Sequence, residues 1–389
     1  MTKPDDPTAW LAGKDRAMED ELAELVGVNS FTDNVDGGRE VGRRLADVFR
    51  VPGLELAVVP SARYADHLVW RSTWDAAGRS PVALVGHLDT VFPPGTFEGF
   101  RRDGDLARGP GVLDMKGGLV VVAWALRAVA ETLGPSALPP LRVVVVADEE
   151  VGSPEGQGVI RSAIADATSC LVFEAGRKSD LVVTRRKGTG SVKAIAHGKA
   201  AHAGNAHRDG ANALWALARF VDRVQGLTAY DRGVTVNVGR VTGGESKNTV
   251  PDRAEALVDI RFETVRDAEA LMDDIRRAAA EAAVPGTRVE IEGGVARMPM
   301  ERTDASAILL AEYGESARAA GLGSGEAALV GGGSDASTSS AMGIASIDGL
   351  GPRGVGFHTK DEQIEIVTLR MKAEALVRFL LRHGQGRAG

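Results

Sequence analysis

The feature that most constrains the fold of this 389-residue chain is a set of short apolar runs that each end in histidine or acidic residues. The runs span residues 82–85, 141–147 and 170–173. Apolar runs of this length, bounded by turn residues, are typical of buried strands in a mainly parallel sheet with helices on both faces. The carboxyl ends of such strands share one edge of the sheet, where ligands bind. We therefore predict an α/β domain in which the residues that follow these runs share one site.

Five polar segments carry acidic or histidine residues and are far apart in the chain: three adjoin these runs, one adjoins a short glycine loop at residues 109–111, and one lies near the C terminus. They are residues 86–90 (GHLDT), 111–118 (GVLDMKGG), 148–150 (DEE), 173–176 (FEAG) and 356–358 (GFH). Zinc binds imidazole nitrogen and carboxylate oxygen, and a carboxylate shared by two ions can hold them about 3.5 to 4 Å apart. Taken singly, each segment fits a solvated strand end, because acidic residues are mostly exposed. Together they supply the ligands of a two-metal hydrolytic site.

The adjacent acidic residues Glu149 and Glu150 can serve two different purposes. Their side chains point to opposite sides if the strand continues, and in a turn one can face a metal while the other faces water. One of them can therefore be a ligand and its neighbour a general base. The histidines without an acidic pattern around them are interpreted as surface or core residues: His67, His197, His207 and His383.

Predicted helices and strands alternate up to about Arg186, as in an α/β domain. The helices among them span 15–26, 38–49 and 118–133. From Gly188 the order changes to strand, helix, strand, strand, helix, strand, which is the order of a ferredoxin-like α+β unit.

The helix-rich pattern resumes after Met298 and includes His358. The first domain must therefore be discontinuous. We assign residues 1–186 and 299–389 to a catalytic domain and residues 187–298 to an inserted lid.

Composition excludes several other classes of protein. The net charge of −7 gives no sign of a nucleic-acid surface. The single cysteine, Cys170, excludes an internal disulfide, and its apolar neighbours indicate a buried structural thiol. No apolar run approaches the roughly 18 residues of a membrane span, and the N terminus lacks an apolar stretch of signal-peptide length. We therefore expect a cytoplasmic protein that binds neither nucleic acid nor a membrane.

In order, spacing and context, the motifs resemble those of the dinuclear-zinc carboxypeptidases and deacylases. This family includes glutamate carboxypeptidase, aminoacylase, acetylornithine deacetylase and succinyl-diaminopimelate desuccinylase. The resemblance extends from about residue 80 to the C terminus and rests on HLDT, GVLDMKGG, DEEVGS, FEAG, GGGSDA and GFHTKDE. It implies a zinc-exopeptidase-like fold, a homodimer formed through the lid, and two Zn2+ ions per subunit, with Co2+ or Mn2+ as substitutes. The last two motifs resemble the glutamate carboxypeptidase branch most closely.

The resemblance assigns the metal ligands residue by residue. Asp114 would bridge two zinc ions. His87 and Glu174 would complete one ion site, and Glu150 and His358 would complete the other.

The resemblance also assigns catalytic roles next to these ligands. Glu149 would be the general base, which takes a proton from the water between the zinc ions and passes it to the leaving amine. Asp89 would accept the second N–H of the His87 imidazole. A cis peptide bond is implied after Asp114.

Four residues of the lid match positions that contact substrate in the family. His202 matches a histidine that stabilises the tetrahedral oxyanion, commonly across the dimer interface, and such a donor is worth about 3 kcal/mol. Asn248, Arg261 and Arg297 match residues that hold the substrate carboxylate. Each also has an ordinary structural interpretation: His202 can cap a loop, Asn248 can satisfy a turn, and Arg261 can pair with a surface acid.

A glycine-rich segment at residues 331–336 (GGGSDA) is a further candidate for carboxylate binding. Glycines before a helix expose main-chain N–H groups to an anion, but the Lys-Ser/Thr pair of a nucleotide-binding loop is missing. We therefore assign Gly332, Gly333 and Ser334 to the carboxylate end of the substrate. The alternative is that Ser334 or Asp335 is the helix N-cap, which is compatible with that role.

These assignments predict a hydrolase that cleaves an amide bond on the N-terminal side of an amino acid with a free carboxylate, as glutamate carboxypeptidase does. The alternative is deacylation of N-acyl amino acids, and a remote alternative is a metal-binding scaffold without catalysis. Such a scaffold should lack the base or a ligand, whereas Glu149 and all five ligand candidates are present. Arg353 and the basic residues of the lid could favour a substrate with an acidic side chain.

Overall fold

The computed structural model of the protein describes residues 6–74 and 80–384. The helices are α1 (Pro7–Leu11), α2 (Asp15–Val26), α3 (Val35–Val48), α4 (Lys116–Thr132), α5 (Gly156–Ala163), α6 (Ala213–Gln225), α7 (Val265–Ala282), α8 (Asp304–Ala319), α9 (Ala336–Ala341) and α10 (Val367–Gly384). The strands are β1 (Leu54–Val59), β2 (His67–Ser72), β3 (Val82–His87), β4 (Arg101–Asp103), β5 (Leu106–Arg108), β6 (Leu141–Val146), β7 (Ser169–Val172), β8 (Gly188–His197), β9 (Ala201–His202), β10 (Thr235–Gly243), β11 (Thr249–Val250), β12 (Arg253–Phe262), β13 (Arg288–Arg297), β14 (Ala345–Ile347), β15 (Gly354–Val355) and β16 (Gln363–Glu365).

The chain divides into two compact units. The first unit contains the described residues up to 185, residues 302–329 and the described residues from 334 onward. The second unit contains residues 186–301 together with the short segment 330–333.

The first unit is built around a six-stranded sheet with the order β1-β2-β6-β3-β7-β14. Strands β6, β3, β7 and β14 are parallel neighbours, and β2 is antiparallel to both β1 and β6. Of the six strands described for this sheet, five therefore run in the same direction. Branched side chains such as those of the valine-rich β6 favour extended backbone and pack well between layers of helices. The predicted mainly parallel sheet is confirmed, and its predicted strands correspond to β3, β6 and β7.

Helices cover this sheet in two groups. Helix α4 contacts β3 and packs against α1, α2 and α10, whereas α5 and α9 contact each other and the strands β6 and β7. Helix α4 is buried on nearly every side, which is typical of a helix in the middle of a core. The three predicted helices are confirmed as α2, α3 and α4. Helix α3 begins three residues before the predicted start, because the side chain of Asn34 accepts a hydrogen bond from the Gly37 N–H and caps it.

A second, smaller sheet of the first unit has the order β15-β16-β5-β4. Strand β16 pairs with β5 in antiparallel register, with Gln363 opposite Arg108. The loop between β15 and β16 contains His358, and the loop that follows β5 contains Asp114. This sheet therefore brings together two segments that are about 250 residues apart in the sequence, as the Asp114 N–H···Glu362 contact shows.

The core of the first unit includes Cys170 in β7, which is fully buried. Burial raises the pKa of its thiol to about 12, so the thiol is inert, as predicted for a structural cysteine. Among the described helices, none has the length and apolar character needed to cross a membrane.

The second unit is a four-stranded antiparallel sheet with the order β10-β12-β8-β13, packed against α6 and α7. In chain order these elements are strand, helix, strand, strand, helix, strand, which is the predicted ferredoxin-like arrangement. Alternate residues of β12, such as Val258 and Ile260, are buried against the helices, while Leu257 and Asp259 between them are exposed. This period of two explains why the segment folds as a strand with one face in the core.

Candidate metal centre

Three neighbouring strands of the large sheet deliver acidic and histidine side chains to one edge. His87 is the last residue of β3, and Glu174 follows the end of β7 by two residues. Glu149 and Glu150 follow β6 in a 3-10 turn. Because β6, β3 and β7 are parallel, their carboxyl ends lie side by side, and the residues that follow them are close together.

The carboxylate of Asp114 lies between two imidazole rings. Its Oδ1 is 3.3 Å from His87 Nε2, and its Oδ2 is 3.3 Å from His358 Nε2. Glu174 Oε1 lies 3.6 Å from His87 Nε2, and Glu150 Oε2 lies 3.0 Å from His358 Nε2. The structure thus brings all five predicted ligand residues together, as two imidazole–carboxylate pairs on either side of one shared carboxylate.

This donor set fits metal ions. Ligand atoms of His87, Asp114 and Glu150 lie within 4.8 Å of one another, and so do those of His87, Glu149 and Glu174. Glu174 Oε1 is buried and has no hydrogen-bond partner among the described residues. A buried carboxylate oxygen without a partner is unfavourable, and a bound cation removes that penalty.

The ionisation of the centre also favours a cation. Burial and the neighbouring Asp114 raise the pKa of Glu174 to about 7, and burial raises the pKa of Glu150. The hydrogen bonds of His358 to Asp114 and Glu150 raise the pKa of its imidazole to about 10. Burial lowers the pKa of His87, but the charge of Glu174 and the hydrogen bonds of the surrounding carboxylates outweigh burial. The pKa of His87 therefore lies well above its ordinary value. Positive charge at this position would stabilise each carboxylate in its ionised form.

Asp89 organises both the imidazole of His87 and the turn beside it. His87 Nδ1 lies 3.0 Å from the main-chain oxygen of Asp89 and 3.3 Å from its Oδ1, so Nδ1 carries the proton and Nε2 remains available for a metal. The carboxylate of Asp89 also accepts hydrogen bonds from the main-chain N–H groups of Glu149 and Glu150, each at 3.2 Å, and from the Thr32 hydroxyl at 2.8 Å. The predicted contact with His87 is therefore present, and the contact with the turn is one that the sequence did not indicate.

Asp148, which is fully buried, stabilises the turn that carries Glu149 and Glu150 through hydrogen bonds. Its main-chain oxygen accepts from the Ser153 N–H at 2.8 Å, and its carboxylate accepts from the N–H groups of Glu155 and Gly156 at 2.7 and 3.1 Å. Asp148 therefore caps the start of α5 and fixes the segment between β6 and that helix.

His67 is buried close to this turn and has acidic neighbours, which the sequence did not indicate. Its Nδ1 accepts from the Ala147 N–H at 3.2 Å and lies 4.0 Å from Asp148, and its Nε2 lies 3.7 Å from Glu155. These partners are about 80 residues away in the chain, so no local pattern marks them.

The loop that carries Asp114 requires glycine where α4 begins. A Cβ atom at Gly117 would lie 2.2 Å from the Val112 oxygen, and one at Gly118 would lie 2.1 Å from the Phe173 oxygen. The absence of side chains thus lets α4 begin directly against β7 and the Asp114 loop. The peptide bond between Asp114 and Met115 is cis, which confirms the expectation drawn from the resemblance.

In the second unit, His202 and Asn248 are adjacent. Strand β9 pairs with β11, and the Ala203 N–H donates to the main-chain oxygen of Asn248 at 2.9 Å. His202 Nδ1 accepts from the N–H groups of Gly204 and Asn205, both at 3.1 Å, so the proton of the neutral ring is on Nε2. The ring is exposed, and Nε2 can donate a hydrogen bond to a ligand.

The remaining lid residues have clear protein partners. Arg261 makes two hydrogen bonds of 2.9 Å to Asp259 on the same strand. Arg297 is buried, and a Cβ atom at Gly333 would lie 2.9 Å from its Cδ. Arg186 Nη1 donates to the main-chain oxygen of Gly332 at 3.2 Å. The guanidinium group of Arg186 therefore supports the glycine segment within the second unit, and the side chain of Arg297 lies against Gly333.

Ser334 and Arg353, both in the first unit, are engaged by other residues of that unit. The Ser334 hydroxyl donates to Asp348 at 2.7 Å and accepts from the Ala336 N–H at 3.2 Å. This geometry favours the helix-start interpretation of Ser334. Arg353 makes two hydrogen bonds to Asp180 and one of 2.8 Å to Glu365. The guanidinium group of Arg353 thus has two carboxylate partners within the chain, and a preference for an acidic substrate stays a prediction.

Comparison with known proteins agrees with this fold. Residues 184–287 match the M20 family model described as a peptidase dimerisation domain. Carboxypeptidase G2 from Pseudomonas sp. (strain RS-16) is 26% identical over 372 residues, which are 94% of this chain and 89% of that protein. These comparisons support a metal-dependent peptidase or deacylase that is similar to the M20 proteins.

Further relatives lie on both sides of the peptidase and deacylase division. Acetylornithine deacetylase from Myxococcus xanthus is 33% identical over 202 residues, which are 48% of this chain and 50% of that protein. The structure of aminopeptidase PepT from Bacillus cereus superimposes with a TM-score of 0.76 at 23% identity and covers 95% of this chain and 98% of that one. This second likeness concerns the fold.

Proposed function

We propose that the protein is a dinuclear zinc hydrolase that cleaves an amide bond on the N-terminal side of an amino acid with a free carboxylate, in the manner of a glutamate carboxypeptidase. The observation that carries this proposal is the position of Asp114, whose two oxygens each face a different imidazole at 3.3 Å. A carboxylate in that position suits a bridge between two ions. His87 and Glu174 would complete one ion site, and Glu150 and His358 the other.

The donor set of nitrogen and carboxylate oxygen suits zinc, and Co2+ or Mn2+ could replace it. Two ions bound here would polarise the scissile carbonyl group and increase the acidity of a nearby water molecule. Glu149 is positioned to act as general base. Its main-chain N–H is held by Asp89, and its carboxylate lies within 4.8 Å of the ligand atoms of His87 and Glu174. From there it can accept a proton from water and pass it to the nitrogen of the leaving amine.

The second unit would contribute substrate contacts. The outward Nε2–H of His202 suits an oxyanion donor, and Asn248 lies beside it. We assign the substrate carboxylate to Asn248, Arg261 and the segment with Gly332 and Gly333, which Arg297 supports. In the folded chain Arg261 is paired with Asp259, so a substrate carboxylate would have to replace that partner.

The second unit would also form a homodimer, as its family match suggests. Strand β10 is at the edge of the sheet, and helix α6 packs beside it. Leu214 of α6 and Val241 of β10 line one groove and are 38% and 48% exposed. An open strand edge next to exposed apolar side chains is suited to pairing with a second copy.

Deacylation of N-acyl amino acids is the second candidate, and the similarity to acetylornithine deacetylase supports it. Both reactions use the same centre and differ in the group on the acyl side of the bond. A scaffold without catalysis is disfavoured, because the proposed base and all five proposed ligand residues are present and close together.

The experiment that tests the proposal is a hydrolysis panel with the zinc-loaded enzyme. It would contain N-acyl and N-aminoacyl glutamates, other N-acyl amino acids and dipeptides, with amine release as the readout. We expect wild type to cleave part of the panel and Glu149→Gln to lose at least 100-fold in rate while both zinc ions stay bound, since a general base contributes about 10²- to 10⁴-fold. Glu155→Gln, an exposed acid of the same segment, is the matched control and should keep wild-type activity.

Two results would contradict the proposal. If wild type with two zinc ions cleaved nothing in the panel, the amidase assignment would be wrong. If Glu149→Gln lost a zinc ion, Glu149 would be a ligand rather than the base. Preference for N-acyl amino acids over glutamyl peptides would select the deacylase alternative.

A further inference from the structure

Glu362 is a buried acid close to the metal centre that the proposed reaction does not use. Its side chain is 1% exposed. Its Oε1 accepts hydrogen bonds from the main-chain N–H groups of Leu113 and Asp114 at 2.9 and 3.0 Å, and its Oε2 accepts from Gly111 at 3.2 Å. One carboxylate therefore holds three N–H groups of the loop that carries the shared ligand Asp114.

Glu362 also lies four residues after His358, in a loop that is closed on itself. The Thr359 N–H and hydroxyl both donate to the Gly356 oxygen, at 3.0 and 2.7 Å, and the Glu362 N–H donates to the Thr359 oxygen at 3.2 Å. His358 itself has a positive φ of 61°. Because hydrogen bonds within this short loop hold its shape, the position of Glu362 fixes the position of His358.

The two ion sites differ in how their ligands are held. His87 and Glu174 follow β3 and β7, which are paired directly within the large sheet. His358 is half exposed and lies in the loop between β15 and β16, which belong to the smaller sheet. Its distance from Asp114 therefore depends on the contact of Glu362 with the Asp114 loop. The main-chain oxygen of Glu362 strengthens that junction by accepting from the Gly109 N–H at 3.4 Å.

We propose that Glu362 is a positioning residue that docks the His358 loop onto the Asp114 loop and thereby assembles the ion site formed by Asp114, Glu150 and His358. Three main-chain N–H groups converge on this one carboxylate, so a single side chain sets their positions. Glu362 touches neither ion nor substrate in this account. The inference rests on the proposed two-metal centre.

The test is zinc binding by Glu362→Gln, measured by titrating the metal-free protein with Zn2+ against a chromophoric chelator. An NH2 group in place of one oxygen would leave at least one of the three N–H groups without an acceptor. We expect one ion to bind with wild-type affinity and the other about 10- to 100-fold more weakly, as is typical when a residue that orients a ligand is lost. Glu365→Gln, which removes a charge from β16 nearby, is the matched control and should bind two ions with wild-type affinity.

The other possible results of the zinc titration would each contradict the role proposed for Glu362. Wild-type affinity at both sites of Glu362→Gln would overturn the inference, and equal weakening of both sites would show a general structural role instead. If Glu362→Gln does not fold, Thr359→Val removes the hydroxyl that closes the exposed loop, and the same selective loss is expected; unchanged binding would overturn the inference. A wild-type chain that binds fewer than two ions would overturn the proposed two-metal centre itself. If wild type binds two ions, a negative result with the variants concerns only the role of Glu362.

Discussion

At the scale of single residues, the centre is held by buried charges that each serve several partners. The carboxylate of Asp89 contacts the ring of His87 and the main chain of Glu149 and Glu150. It therefore links a proposed ligand of one ion to a proposed ligand of the other and to the proposed base. A single carboxylate can serve all of these because each of its oxygens accepts more than one hydrogen bond.

Asp180 is a second buried acid, away from the metal centre, whose role can be tested through pH. Burial by itself raises its pKa, but hydrogen bonds from Arg353 and the charge of Lys372 outweigh that effect, so the pKa lies below its ordinary value of 3.8. Stabilisation by the ionised group is therefore complete above about pH 4 and is lost as the pH falls through the lowered pKa.

We predict that Asp180→Asn lowers the free energy of unfolding by about 3 kcal/mol at pH 7, because it leaves the buried ammonium group of Lys372 without this carboxylate. The difference from wild type should shrink below pH 4, where Asp180 of wild type takes up a proton. Urea denaturation at pH 7 and at pH 3 measures both values. Asp273→Asn, whose side chain is 70% exposed, should change little, and a pH-independent difference for Asp180→Asn would contradict this account.

At the scale of secondary structure, the sequence was sufficient for the elements with strong periodicity. The runs that became β3, β6 and β7 were predicted from their apolar character, and their polar ends indicated His87, Glu150 and Glu174. The ferredoxin-like unit was predicted from its element order. Each of these predictions depends on neighbours within one element, or on the rule that parallel strands end at one edge.

Contacts between distant elements could not be predicted in this way. The small sheet that joins β5 to β16 consists of strands of two or three residues, which are too short to show a period. Glu362 meets Leu113 across 249 residues, and Arg353 meets Asp180 across 173, so only the folded chain shows the pairing. The sequence did not indicate the partners of Arg353 for this reason, because they are not its neighbours in the chain.

The exposed groove between α6 and β10 allows a prediction at the same scale. Val241→Asp places a charge on the edge strand of the proposed dimer interface, and burial of an unpaired charge there would be unfavourable. We expect light scattering after size exclusion to give the mass of one chain for this variant and of two chains for wild type. Tyr230→Asp, which alters a residue of the second unit that is 85% exposed and lies outside both elements, should remain a dimer. A dimeric Val241→Asp, or a monomeric wild type, would contradict the proposed interface.

At the scale of the whole molecule, the chain combines two units with different tasks. The first unit alone contains all five proposed ligands and the proposed base, so a metal centre needs no residue from the second. The second unit interrupts the first in sequence and supplies its own core of apolar residues. Metal binding should therefore be a property of the first unit, whereas substrate selection and self-association are proposed for the second.

The central claim is that one carboxylate, that of Asp114, bridges two metal ions. The most direct test is the zinc content of the metal-free chain after reloading, determined by mass spectrometry of the metal in wild type and in Asp114→Asn. We expect two zinc ions per wild-type chain and a loss of tight binding at both positions in the variant, because both imidazole–carboxylate pairs share this residue. One zinc ion per wild-type chain, or two tightly bound ions in Asp114→Asn, would contradict this claim.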